Sequence, residues 1–282
     1  MNQKRTLAKE LLKIAKRDVK ASSLLYGQKL YPQSYFYFQQ ATEKATKSYF
    51  LFLEIVDEKK VFDVRHNLFK LHKKVLVQAQ EHNKKALDMI GMYPFLQVAG
   101  LEKKKLTKRR NSIQDELSLF DKLKDYDLIN ISSKNIQFFL DNLESLNVKA
   151  IKMPEDLSLT IENYFRLLLD DINKYNSEEA IQMAKALEDS LTDPEWTNFI
   201  HDHFKEVIRA VLDSIFIYST LFFTSFLTIQ HSSISRYPNN ENPAITPLKI
   251  YSKKLPLVKW QPDFLENLKR AIILIEHNFK NE

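Results

Sequence analysis

At 282 residues with 44% hydrophobic side chains, the chain can bury one large core or two smaller ones, and wholesale disorder is excluded. Three glycines are too few for the turns and bulges of a β-rich protein of this size, which leaves helices joined by short polar loops. A net charge of +6 permits nucleic-acid contact without requiring it, and the absence of cysteine removes disulfides, thiolate metal sites and cysteine nucleophiles and fits a reducing, cytoplasmic setting.

In chain order, Leu7, Leu11, Ile14, Ala15, Val19, Ser22, Leu25 and Tyr26 recur at three- and four-residue steps and predict an amphipathic helix over 4–27. Its N-terminal residues lack the continuous apolar run of a signal peptide. Gly27 and Pro32 bracket a turn, and an aromatic-rich second helix covers 34–55. A charged loop, DEKK, leads to a third helix over 66–89, closed by Gly91 and Pro94. The middle opens on a basic run, Lys103, Lys104, Lys105, Lys108, Arg109 and Arg110, which reads either as a phosphate grip or as a solvated helix start. Helices follow over 111–127, 133–146, 156–175 and 177–191, broken at DYD, NVKAIKMPED and TDPEW. Asp193-Pro194 starts a long helix reaching about Ser233, and an irregular stretch spotted with Pro243, Pro247 and Pro256 precedes a last helix over 262–280.

Residues 210–229 are long and apolar enough to span a bilayer. Asp213 and six hydroxyl residues inside the run favour the buried helix of a soluble bundle, so no membrane is expected.

On the second helix Gln40, Glu43, Lys44 and Lys47 fall at spacings of three and four and share one face, with Glu43 and Lys47 in the favourable order for an ion pair. The ribbon reads either as a solvent face or as a strip meeting a neighbour's polar groups or a groove.

The stretch AKRDVKASSLLYGQKLYPQSYFYFQQATEKATKSYFL, followed by VRHNLFKL, closely resembles the N-terminal half of HEPN (higher eukaryotes and prokaryotes nucleotide-binding) domains: a first helix with an Asp, a tyrosine turn, a QQA-x-EKA-x-K helix, and a third helix opening with His66 two residues before Leu68. Downstream, HSSISRYP at 231–238 resembles the signature closing the family's fourth helix. The resemblance implies an all-α, up-and-down HEPN-type bundle formed by residues 1–95 and 196–282 and split by a helical insertion or cap at 96–195.

It also implies two kinds of function. One is a metal-independent endoribonuclease using an Arg-x6-His pair, offered here by Arg65 with His72 and by Arg270 with His277. The chemistry is apt, since a His moves the 2′-hydroxyl proton and an Arg stabilises the phosphorane charge. Arg65 is the better placed because polar His66 follows it. The other is an RNA- or nucleotide-directed binding module, or a companion of a nucleotidyltransferase-like protein, of prokaryotic defence or toxin–antitoxin type. Gln40, Glu43, Lys44, Lys47, His66 and Arg236 then line a groove or a homodimer seam. Arg236 has a blander alternative, pairing with Glu43 or Asp18 inside the bundle. His201 and His203 point apart at two-residue spacing, and phosphate loops and metalloprotease pairs are absent, so no metal and no cofactor are expected.

Overall fold

The structure is a computed structural model that describes residues 3–92, 103–122, 130–151, 157–237 and 246–280, and among these every regular element is a helix. In chain order they are α1 (Gln3–Gly27), α2 (Tyr31–Phe52), α3 (Glu58–Asp63), α4 (Phe69–Met92), α5 (Lys103–Lys122), α6 (Ser133–Ile151), α7 (Leu157–Ile172), α8 (Glu178–Thr192), α9 (Pro194–Thr228), α10 (His231–Ile234), α11 (Pro247–Ile250), α12 (Pro256–Lys259) and α13 (Gln261–Lys280). The chain packs as two units, one from Met1–Val75, Leu123–Val148 and Asp213–Glu282, the other from Leu76–Lys122 and Lys149–Leu212. Three of these divisions fall inside helices, in α4, α6 and α9.

Several boundaries differ from the sequence reading. The DEKK loop is the start of α3, whose first turn is capped by Asp57 accepting from the Lys60 amide at 2.7 Å. His66 lies in the turn before α4, not at its first residue. The basic run forms the first two turns of α5. Two prolines of the irregular stretch open α11 and α12, where a first-turn proline loses no hydrogen bond. Pro94, the DYD break, the Met153-Pro154 break, Pro238 and Pro243 lie outside the described residues.

The first unit is organised by how closely α1 and α2 approach. Ala8, Ala15 and Ser22 on α1, and Ser34, Ala41 and Ser48 on α2, are all wholly buried and repeat every seventh residue. Ser22 Oγ donates to the Ser34 carbonyl and Ser34 Oγ to the Ser22 carbonyl, both at 2.8 Å, while Ser48 Oγ reaches the Ala8 carbonyl at 2.7 Å. The pairs run in opposite directions, so the helices are antiparallel with a seam of small residues between them. Gln261, at the start of α13, donates to both serine hydroxyls at 3.0 and 2.7 Å and ties the third helix to that seam.

Aromatic and branched residues close the core around it: Tyr35, Phe38 and Phe50 from α2, Phe216, Ile217 and Leu221 from α9, Leu268, Ile272 and Ile275 from α13. Each contributes about 1.5–3 kcal/mol by leaving water. Within α9, Glu206–Thr228 is long and apolar enough to cross a membrane, with 39% of its most apolar window buried. Two of its hydroxyls fold back on the helix, Thr224 Oγ1 to the Thr220 carbonyl at 2.8 Å and Thr228 Oγ1 to the Thr224 carbonyl at 2.7 Å. In the second unit α7 and α8 enclose a small core of Ile172, Ala180 and Ala184.

Candidate functional site

Because α2 is packed on several sides, its polar stripe is largely internal. Glu43 is 8% and Lys47 5% exposed. The two pair at 2.7 Å, Lys47 Nζ donating to Glu43 Oε1, and the Lys47 ammonium lies 6.0 Å over the Phe62 ring. The other carboxylate oxygen, Oε2, receives His66 Nδ1 at 2.7 Å and the Gln39 amide at 3.2 Å. Gln39 accepts from Gln40 at 2.7 Å, Gln40 accepts from Lys44 at 2.9 Å, and Lys44 donates again to Asp18 of α1 at 2.7 Å. Asp18, Lys44, Gln40, Gln39, Glu43 and His66 therefore form one unbroken relay, with Lys47 as a side branch. Gln39 sits off the face defined by the spacing, and its bridging role has no signal in the sequence pattern.

Burial pushes the Glu43 carboxyl upward, but hydrogen bonds and charge from Lys47 and His66 outweigh it and hold the group below its usual value. An ionised Glu43 accepts, so His66 Nδ1 carries the hydrogen and Nε2 is left for other partners. The His66 side chain is 48% exposed and is the outermost member of the relay. Immediately before it, Arg65 is exposed and held at φ 49°, its amide donating to the Phe62 carbonyl at 3.0 Å. A left-handed backbone is costly for an arginine, about 1–2 kcal/mol, and here it turns the chain between α3 and α4.

His72 is placed quite differently. It is wholly buried, ringed edge-on by Phe50, Tyr218 and Phe222 at 5.2–5.4 Å, with Nε2 3.3 Å from the Ser225 hydroxyl. Burial lowers its pKa to about 3, so it is neutral at physiological pH. Arg65 stands in water and His72 in the core, and this conformation brings them to no common surface. In the second pair, the Arg270 guanidinium packs 4.8 Å over Phe216, and His277 is exposed on the same helix.

Arg236 is exposed, its guanidinium 5.3 Å from the Phe36 ring and 5.4 Å from Tyr237. The carboxylates of Glu43 and Asp18 are engaged by Lys47, His66 and Lys44. Nearby, buried His231 hydrogen-bonds the Tyr251 hydroxyl through Nδ1, and Tyr35 donates to the Leu227 carbonyl at 2.9 Å. Burial raises both phenols above their ordinary range. Sequence reading treats His231 as a lone histidine, because Tyr251 lies in the stretch read as irregular.

Among the described residues no three His, Asp or Glu side chains cluster as a metal site. The His201 and Asp202 side chains lie outside the described set, and His203 stacks on Phe199 at 4.2 Å. In the second unit a cleft between α4 and α5 is lined by Glu81, Lys84, Asp88 and Arg110, a mixture of signs rather than a cationic grip.

No curated protein and no solved structure matches the chain. The family model of the HEPN domain matches residues 8–108, a span that takes in α1 to α4, the start of α5, the small-residue seam and the whole relay. It stops well before residues 231–238. With an all-helical architecture among the described residues around that match, residues 8–108 are similar to the all-α HEPN domain.

Proposed function

We propose that this chain is an RNA- or nucleotide-directed binding module, acting through the exposed end of the relay, where Arg65 and His66 stand side by side. The observation that carries it is the environment of His66. A buried ion pair of Glu43 and Lys47 is weak evidence for stability, since desolvation offsets most of the Coulombic gain. A buried carboxylate fixing the tautomer of a half-exposed histidine, next to an arginine in a strained turn, is the arrangement by which proteins orient groups for a ligand. Arg65 supplies a fork for phosphate oxygens and His66 Nε2 a hydrogen-bonding group for a phosphate, base or sugar hydroxyl. Lys44 and Arg236 act as supporting groups, the first through the relay. A soluble homodimer in a prokaryotic defence or toxin–antitoxin setting, with a nucleotidyltransferase-like partner, is the biological frame that the family resemblance supplies.

The test is fluorescence anisotropy of a labelled single-stranded oligoribonucleotide over a salt series. Arg65→Ala should weaken binding evenly across sequences and reduce the slope of log affinity against log salt by about 1. His66→Ala should weaken it as well. Unchanged affinity and slope in both variants would sink the reading. Incubating an RNA pool with wild type and His72→Ala in EDTA separates the rival: cleavage lost only in the variant would transfer the assignment to a ribonuclease using Arg65 and His72.

A further inference from the structure

Away from the relay, the first unit carries a groove of about 460 Å³ between α1 and α13. Lys16 and Lys20 stand on the α1 bank, Lys269 on the α13 bank, and Val19, Ile272 and Ile273 form the floor. Ile273 is 51% exposed, a large branched side chain left facing water. The three cations are only partly compensated. Lys16 pairs with Glu276 across a partly exposed 2.5 Å contact, Lys269 meets Glu266 only at 3.4 Å, and Lys20 has no ion pair among the described residues. Exposed pairs of this kind contribute little and leave the lysines available.

The positive bank also extends beyond the groove. Lys9, Lys13, Lys16 and Lys20 step by three and four along α1, about 16 Å of helix at 1.5 Å per residue, with Lys13 meeting Glu10 in an exposed pair at 2.6 Å. Lys9 lies 5.8 Å over the Phe279 ring, which sets this edge of α1 toward α13. The complement is therefore long rather than point-like, negative along its length and branched-apolar along one edge. Two parallel banks of helix offer a seat for a third, with apolar anchors spaced i, i+3 or i+4, and i+7. Single-stranded RNA is also a long anion, but it binds through aromatic stacking, and no aromatic side chain lines this groove.

We propose that the α1–α13 groove docks an acidic amphipathic helix of a partner protein. Its leucine-type anchors pack over Ile273, above a floor where Val19 and Ile272 are already buried, and its carboxylates meet Lys16, Lys20 and Lys269.

The probe is a fluorescein-labelled synthetic peptide of about 18 residues, long enough to hold helix, with leucines on one face and glutamates on the other. It is titrated by anisotropy into the full chain, beside a scrambled peptide of equal composition. The groove peptide binds saturably and the scramble at least about tenfold more weakly. Lys16→Glu with Lys20→Glu, and separately Ile273→Glu, each weaken the peptide about tenfold or more. These positions are exposed or half-exposed, so thermal melts should stay at wild type; if the double variant's melt shifts, Lys20→Ala alone is used and must still weaken binding. Wild-type affinity in the groove variants, equal binding of the scramble, or displacement of the peptide by a single-stranded oligoribonucleotide would each overturn the proposal.

Discussion

His72 and Glu43 are both titratable groups removed from water, and they make opposite use of it. Glu43 keeps its charge because Lys47 and His66 donate to it, whereas His72 is surrounded by ring edges and gives its charge up. The buried imidazole takes a proton only near pH 3, against about 6.5 in an unfolded chain. Between those values the unfolded state holds the extra proton, so stability should fall as pH drops from about 6.5 toward 3, by about 1.4 kcal/mol per pH unit. Glu43, with its lowered value, adds stability above the unfolded carboxyl pKa and loses it as pH falls through the folded one, the same direction at a more acid edge. Urea unfolding at pH 7, 6 and 5 tests the histidine: His72→Leu should flatten the slope by close to one proton. Parallel slopes in the two proteins would mean that His72 is not the buried neutral group. A pair of letters spaced by six could not reveal this depth, because the rings that enclose His72 come from Phe50 and from Tyr218 and Phe222, the last two well over a hundred residues downstream.

Among elements, α2 was the most legible, since its aromatic density and its polar stripe are both spacing patterns. The sequence showed which residues share the stripe face; it could not show that Glu43 and Lys47 are buried, because that depends on α1, α3 and the turn at His66. Helices α3, α11 and α12 escaped notice for a simpler reason: four to six residues do not complete enough turns to display a period. The seam between α1 and α2 predicts a sharp size limit. Ala15→Leu or Ala41→Leu would force a branched side chain between helices in close approach and should cost about 1–3 kcal/mol, more if the helices must separate. Ala41→Ser should be tolerated, as Ser22, Ser34 and Ser48 already occupy equivalent positions. A thermal melt unchanged by either leucine would show that the helices are not held that close.

At the scale of the molecule, the first unit draws on three separate stretches of chain, and its two ends meet through α1, α2 and α13. Deleting residues 261–282 would strip Phe264, Leu268, Ile272 and Ile275 from that core and remove Gln261 from the serine pair. The truncated protein should lose the cooperative unfolding of the first unit and collect in the insoluble fraction; a soluble product with a cooperative melt would show the core closing without α13. The segmental make-up also accounts for what a linear reading can recover at this scale. Helical class and the HEPN signature are local properties of 8–108, while the grouping of 123–148 with both chain ends rests on contacts such as Phe139 stacked on Phe223 at 4.7 Å.

The amide of Gln261 also sets a schedule. Ser22 and Ser34 satisfy one another as soon as α1 and α2 pair, but the side chain that completes their bonding lies 227 residues beyond Ser34. At a synthesis rate of about 5–20 residues per second, the nascent α1–α2 hairpin would wait roughly 10–45 seconds with its α13-facing apolar side uncovered. Early misassembly, rather than final stability, is then the step at which a chaperone would matter most to this protein.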